Sequence, residues 1–313
     1  MKPSIPADDA ISVRFLEFAA QQQQYQVGNV TVGGNPGSRA TVLIGSLFYH
    51  GHRVLTNEEE GEFDPAAAEA AIRIQEEYTE KTGNPGMLDV VGATPRAMTR
   101  LLEFVAKTTE MPLLVDGTTA DVRLAGIRLL AEAGLAHRAV YNSVQPGIRD
   151  DELSVLQETG TTAAILLAYN LQDFSTEGRV SAVRKLLPRL RDAGIETLMV
   201  DTCVLDLASL GQAFAAMFEI KQDLGLPVGG GVHNAVATWR GLKPKMGRQA
   251  YHPCVASSCA AAATLGADFV LYGPVEDAPV VFPAVAMVDT ALSQVAIERG
   301  DRPGKDHPRF RIG

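Results

Sequence analysis

The stretch Pro112-Leu113-Leu114-Val115-Asp116 is an apolar run closed by a carboxylate, and the chain repeats that phrase. Met87–Leu88 runs into Asp89, Ala139–Tyr141 into Asn142, Ala163–Tyr169 into Asn170, Thr197–Val200 into Asp201, and Val228–His233 into Asn234. Short apolar runs that alternate with helices build a parallel sheet, and such sheets do their chemistry at the carboxyl ends of the strands. The acids and amides are therefore expected to converge on one mouth.

Working outward, Thr41–Phe48 and Asp268–Tyr272 bring the runs to eight, and the segments between them carry helix punctuation. Pro65 follows Asp64 and Pro95 follows Thr94, the pairing of a side-chain cap with a ring whose fixed φ suits the first turn. Gly134, Gly160, Gly194, Gly225 and Gly266 each stand just before the next strand, where a left-handed residue ends a helix. Eight strand–helix units predict an α/β fold, a (β/α)8 TIM barrel forming one domain over residues 1–313. A doubly wound sheet would need a reversal of strand order and usually a phosphate loop. Gly33-Gly34-Asn35-Pro36-Gly37 supplies none, since it contains Pro and opens no helix. It reads as the turn closing a short N-terminal β-hairpin built from Tyr25 to Val32, inside an extension over residues 1–40. Residues 300–313 read as a polar, solvated tail.

Composition narrows the function. With 313 residues, 46% of them hydrophobic, the chain can bury a full core, and no run predicts a membrane span. Lys2, Pro3, Pro6, Asp8 and Asp9 leave no room for the apolar stretch of a signal peptide, and three cysteines are too few for a disulfide framework. Both point to the cytoplasm. A net charge of −9 argues against nucleic acid as a partner.

Each barrel chemistry can be tested at the strand ends. His50-Gly51-His52 resembles the start of a binuclear metal site in a barrel hydrolase, but the later strands end in Asn170, Asp201 and Tyr272-Gly273 where further ligands would have to stand. His252, Cys254 and Cys259 match no common structural zinc spacing. A Schiff-base aldolase needs a buried Lys on a strand, whereas Lys81, Lys107, Lys185 and Lys221 all fall in predicted helices. No metal site is expected. What remains is a mouth of carboxylates and carboxamides, poor in nucleophiles. A carboxylate accepts two parallel N–H bonds from an amino-pyrimidinone and an amide both donates and accepts, so the mouth suits a flat heterocycle such as a reduced pterin. A cap on the following helix is the competing role for any single Asp or Asn. Six such ends are hard to explain by capping alone.

Several runs also resemble a known family. Leu88-Asp89-Val90-Val91-Gly92, Leu114-Val115-Asp116, Tyr141-Asn142-Ser143, Val200-Asp201-Thr202 and Gly231-Val232-His233-Asn234 are similar, in order, to the pterin-binding barrel of corrinoid-dependent methyltetrahydrofolate methyltransferases. A closer resemblance covers nearly the whole chain. Gly45-Ser46-Leu47-Phe48-Tyr49-His50-Gly51-His52, Lys81-Thr82-Gly83-Asn84-Pro85, Leu271-Tyr272-Gly273-Pro274-Val275-Glu276 and Phe282-Pro283-Ala284-Val285-Ala286 resemble the H subunit of tetrahydromethanopterin S-methyltransferase. That family includes stand-alone bacterial relatives serving tetrahydrofolate in glycine betaine demethylation. The resemblance implies methyl transfer between N5 of a tetrahydropterin (tetrahydrofolate or tetrahydromethanopterin) and the cobalt of cobalamin carried by a separate corrinoid protein. It implies that Asp116, Asn142 and Asp201 hold the pterin ring, that Asp89 supports them, and that Asn234 lies near N5 as the catalytic amide. It also implies a homodimer and a transient contact with the corrinoid protein. Gly117 departs from the wider group, where Ser commonly follows the third-strand Asp. A dihydropteroate synthase would share the pocket but would be expected to have a Lys on strand seven, which Val228–Asn234 lacks.

Overall fold

The computed structural model describes residues 15–313; the segment weighed above for a leader, residues 1–14, lies outside the described residues. A hairpin of β1 (Gln24–Val27) and β2 (Val30–Gly33) precedes the first barrel strand, β3 (Val42–Leu47). The loop after β3 carries a two-stranded ribbon, β4 (Leu55–Asn57) and β5 (Glu62–Phe63), that the sequence pattern does not announce. Alternation then runs through α1 (Pro65–Thr82), β6 (Gly86–Gly92), α2 (Pro95–Thr108), β7 (Leu113–Gly117), α3 (Ala120–Glu132), β8 (Ala139–Val144), α4 (Asp150–Glu158) and β9 (Ala163–Leu167). It continues through α5 (Thr176–Asp192), β10 (Thr197–Asp201), α6 (Ser209–Leu224) and β11 (Val228–Gly230). Two short helices, α7 (Asn234–Ala237) and α8 (Leu242–Met246), come before α9 (Tyr251–Thr264), β12 (Phe269–Pro274) and α10 (Ala278–Glu298). The strands in the order β3-β6-β7-β8-β9-β10-β11-β12 are parallel and close on themselves, which is the expected (β/α)8 barrel.

The helix punctuation works as read. Asp64 accepts from the backbone N–H groups of Ala66 and Ala67 with Pro65 in the first turn, and Thr94 accepts from that of Ala97. At Gly225 (φ 63°) the left-handed turn is also a close approach, since a Cβ there would meet the Gln21 carbonyl oxygen at 2.1 Å.

Strand alternation decides what lies inside. Ile44, Met87, Leu114, Val140 and Met199 form the floor of the barrel, and the hairpin's Val27, Val30 and Val32 join the same buried cluster from below. Each buried Val is worth about 1.5–3 kcal/mol before entropy, and together with the pairing of β1 and β2 this burial helps hold the two short strands as a plug. The amino end of the barrel is thus sealed. On the outside, the strands face a single continuous layer of helix-borne apolar side chains.

Four expectations need correction. The hairpin turn is Gly28–Asn29, and Gly33–Gly37 instead links the hairpin to the barrel; Gly28 (φ 53°) takes the left-handed turn position. Asp89 is interior to β6 and does not end it, because that strand continues through Val90 and Val91 to Gly92. β9 stops at Leu167 and β11 at Gly230, so Asn170 lies beyond its strand and Asn234 opens α7. The tail is polar but not free: His307 and Pro308 are buried, and Arg309 donates to Ser293 Oγ (3.1 Å) and Gln294 Oε1 (3.0 Å) on α10. Charge counts miss this because arginine packs its stem while its head hydrogen-bonds.

Among the described residues, Val275–Glu298 is the one helical segment long and apolar enough to cross a membrane, with mean hydropathy 1.7. It is nevertheless tied into the helix layer. Asp289 on α10 is buried, accepts from the Thr41 N–H (2.9 Å) and hydroxyl (2.9 Å), and takes Asn84 Nδ2 at 2.6 Å.

Candidate active site

Period two places the mouth residues. Ser46, Asp89, Asp116, Asn142 and Asp201 each stand two residues beyond a floor residue, Ile44, Met87, Leu114, Val140 and Met199 respectively, and so project from the same inner face one layer higher. Register keeps them level: Ser46 pairs with Asp89 across β3 and β6, and Asp116 with Asn142 across β7 and β8. The run endings gather four of these five. Ser46 escapes that reading as a site residue, although it sits inside a quoted run and continues the Val42, Ile44 alternation.

Hydrogen bonds sort the five by role. Asp89, 2% exposed, has both oxygens occupied, Oδ2 accepting from Ser46 Oγ (2.8 Å) and Oδ1 from Asn142 Nδ2 (3.0 Å). It fixes which way the Asn142 amide points and leaves that amide's carbonyl oxygen and second N–H for a ligand. Asp201 Oδ1 accepts from the Cys203 N–H (2.7 Å), and the Gly231 N–H also faces this carboxylate, whose two oxygens between them still have lone pairs for a ligand. That bond forms because Cys203 turns back with φ 60°. The Asp116 carboxylate faces the mouth beside the backbone N–H of Gly117.

Electrostatics make this a site that wants a cationic or N–H-rich partner. Burial pushes Asp89 and Asp116 well above the ordinary carboxylate range; Asp116 is raised further by the charge of Asp89 and, less, of Asp201, against Arg123. Burial raises Asp201 to about 6, against the N–H groups of Cys203 and Gly231. Arg123, which no sequence motif singles out, is the countercharge behind the mouth. It is 8% exposed, donates to the Gly117 carbonyl (2.6 Å), lies over the Tyr141 ring (5.1 Å) and sits 3.8 Å from Glu152. Gly117 has a local reason as well: a Cβ there would meet Val122 Cγ1 at 2.5 Å, so the serine common elsewhere would not fit this packing.

Asn234 and His233 close the mouth from the β11 side. Asn234 Nδ2 donates to the Val204 carbonyl (3.2 Å), tying α7 to the loop that follows Asp201. His233 is held neutral by burial, and its Nδ1 faces the Leu271 carbonyl at 3.0 Å, which fixes the proton on that nitrogen. Gly273 makes room for the ring, since a Cβ there would lie 2.7 Å from it. Asn170 is not brought to the mouth. Its Oδ1 accepts from the Gln172 N–H (3.0 Å), and it lines an outward cleft of about 420 Å³ with Tyr169 and Lys185.

The histidine pair does not converge. His52 is buried, with Nδ1 accepting from the Phe48 N–H (3.0 Å) and Nε2 2.7 Å from Glu276, whereas His50 is exposed and contacts Glu58 at 2.9 Å. His252 faces Asp277 at 3.4 Å while Cys259 is buried, with its thiol raised to about 12 by desolvation. Lys221 is buried in α6 and paired with Asp268 (2.7 and 2.9 Å), which sits just before β12 at the amino end of the barrel, away from the mouth.

A closed parallel barrel with a plugged floor and a carboxylate–carboxamide mouth is a (β/α)8 fold with its candidate site at the carboxyl ends of the strands. Its fold matches the dihydropteroate synthase of Yersinia pestis (TM-score 0.59, 17% identity, 87% of this chain and 99% of that one) and the 7,8-dihydropteroate synthase of Vibrio fischeri (0.61, 16%, 87% and 99%). At that identity the likeness shows the fold alone. The chain belongs to the family described as tetrahydromethanopterin S-methyltransferase MtrH subunit, whose model matches residues 20–303. It is 37% identical over 308 residues to the H subunit of tetrahydromethanopterin S-methyltransferase from Methanothermobacter thermautotrophicus, covering 95% of this chain and 99% of that one. It is 34% identical over 305 residues to the H subunit of the putative methyltransferase mtx of Methanosarcina barkeri, covering 94% and 98%.

Proposed function

We propose that the protein is a methyltransferase that moves a methyl group between the cobalt of a corrinoid held by a separate protein and N5 of a tetrahydropterin, with tetrahydrofolate as its pterin. The observation that carries this reading is the ring of Asp116, Asn142 and Asp201, each with hydrogen-bonding capacity left over and aimed into a cup sealed below. The donor set fits a pterin. Two carboxylates accept the N–H groups of the amino-pyrimidinone edge, and the Asn142 amide, oriented by Asp89, pairs with a mixed donor–acceptor position.

The corrinoid supplies the metal centre that takes or gives the methyl group; this chain supplies orientation. Holding the ring by its pyrimidine edge turns N5 toward Asn234, and alignment of N5 with the incoming group is what makes the transfer effectively unimolecular. The Asn234 amide has a second N–H beyond the one on Val204, and that donor stabilises N5 as its charge changes. The corrinoid protein docks transiently over the mouth, and the enzyme works in the cytoplasm. We also propose a homodimer. The outer face of α10 supports it, being apolar at Pro279, Pro283 and Met287, the last 62% exposed.

Single-turnover transfer from methylcobalamin to each tetrahydropterin tests the reaction. Faster methylation of tetrahydrofolate at N5 is the expected outcome, and a folded protein that methylates neither pterin overturns the proposal. Light scattering at the mass of one chain rejects the dimer.

A further inference from the structure

Residues 224–267 contain no Asp or Glu in a protein of net charge −9, yet Arg240, Lys243, Lys245 and Arg248 fall within nine positions of that stretch. All four are exposed on the loop between β11 and α9. None makes an ion pair with a described residue; Lys243 rests instead over the Tyr251 ring at 4.6 Å. The loop itself is anchored. Leu242 is buried in the core, Trp239 packs against it, and Asn234 ties the loop's first turn to the Val204 carbonyl. This is a fixed cationic platform at the rim of the mouth, and the function proposed above does not use it.

We infer that this platform binds the anionic tail of the pterin substrate, the chain of carboxylates attached through C6. The inference rests on the proposed pterin site. C6 is bonded to N5, so a ring held by its pyrimidine edge at Asp116, Asn142 and Asp201 with N5 toward Asn234 sends its C6 substituent out along the β11 side. The loop that leaves Asn234 is the one carrying the four cations. Each carboxylate added to the tail then meets a Lys or Arg that pairs with no carboxylate among the described residues, an attraction between exposed charges that salt screens.

The probes are tailless 6-methyltetrahydropterin, 5-methyltetrahydrofolate with one glutamate, and the same compound with five γ-linked glutamates, each titrated into the full-length protein. The pentaglutamate is expected to bind about tenfold more tightly than the monoglutamate at low salt, with the advantage shrinking toward one at 0.5 M salt. In the variant Lys243→Glu/Lys245→Glu/Arg248→Glu the ratio of the two affinities is expected to collapse to about one. Lys243→Gln/Lys245→Gln/Arg248→Gln, which adds no repulsion, should show the same trend if the triple reversal folds poorly. Equal affinity of the two folates for the natural protein overturns the inference, as does an undiminished ratio in the glutamine variant. Loss of transfer from a corrinoid protein with tail-length dependence intact also overturns it, making the platform a protein-docking surface. Failure of the tailless pterin to bind rejects the pterin site itself and is thereby distinguished from failure of the tail site.

Discussion

Asp201 carries two opposed consequences of one charge. Its folded-state pKa of about 6 lies above the ordinary value near 4, so the native state holds that proton more tightly, and stability is lost as pH rises from about 4 to 6. Asp201→Asn keeps an acceptor for the Cys203 N–H and removes the charge. The variant should equal the natural protein in stability near pH 4 and exceed it by about 1–3 kcal/mol above pH 6. It should also bind the tetrahydropterin more weakly by about 1.5–3 kcal/mol, the worth of a hydrogen bond to a charged group. Denaturation at several pH values together with titration calorimetry checks both, and unchanged pterin affinity would remove Asp201 from the site. Asn234 has a structural bond and a proposed chemical one, and they separate experimentally. Asn234→Ala gives up the link to Val204, costing about 1 kcal/mol of stability, and should slow methyl transfer at saturating pterin by about 100-fold or more. A natural single-turnover rate from methylcobalamin would leave Asn234 as a loop tie only.

Among the elements, the barrel strands are legible because period two and parallel pairing are local properties of the chain, and a run such as Pro112–Asp116 states both. The run ends are less so. Val228–His233 looks like one strand, but its glycines stop pairing at Gly230 and the remaining residues turn into α7, which is how His233 reaches the mouth. Arg123 and Ser46 stay hidden as site members for different reasons. A helical Arg gives no hint that its head reaches back to the Gly117 carbonyl, and a Ser in a strand is ordinary until Asp89 is known to face it. Some of the motifs that carry the family resemblance prove to be ties between elements. Asn84 joins Asp289 to the start of β3, and Glu276 meets His52. Lys221, excluded above as an aldolase lysine, is another tie. Its ammonium and the Val228 N–H (2.8 Å) neutralise Asp268, fixing α6 and β11 to the start of β12. Lys221→Met would leave Asp268 buried without its countercharge, with only the Val228 N–H on it, so it should lower stability by about 3–5 kcal/mol in chemical denaturation. A loss under 1 kcal/mol would contradict that account.

For the molecule as a whole, the plug made by Val27, Val30 and Val32 means that the cup has one opening. Whatever enters must leave the same way, so the order of events is constrained by geometry and not only by affinity. A pterin seated on Asp116, Asn142 and Asp201 lies beneath any corrinoid protein resting on the rim, and the larger partner bars its exit. Steady-state turnover should therefore be sequential and ordered, the pterin first on and last off. Product-inhibition patterns report this directly: the product pterin should compete with the substrate pterin alone, while the demethylated or methylated corrinoid protein should inhibit noncompetitively with respect to the pterin. Random-order patterns would mean that the rim leaves a gap beside the docked partner. Ordered release would also let the cell's pterin pool set how long the enzyme stays primed between visits of its partner.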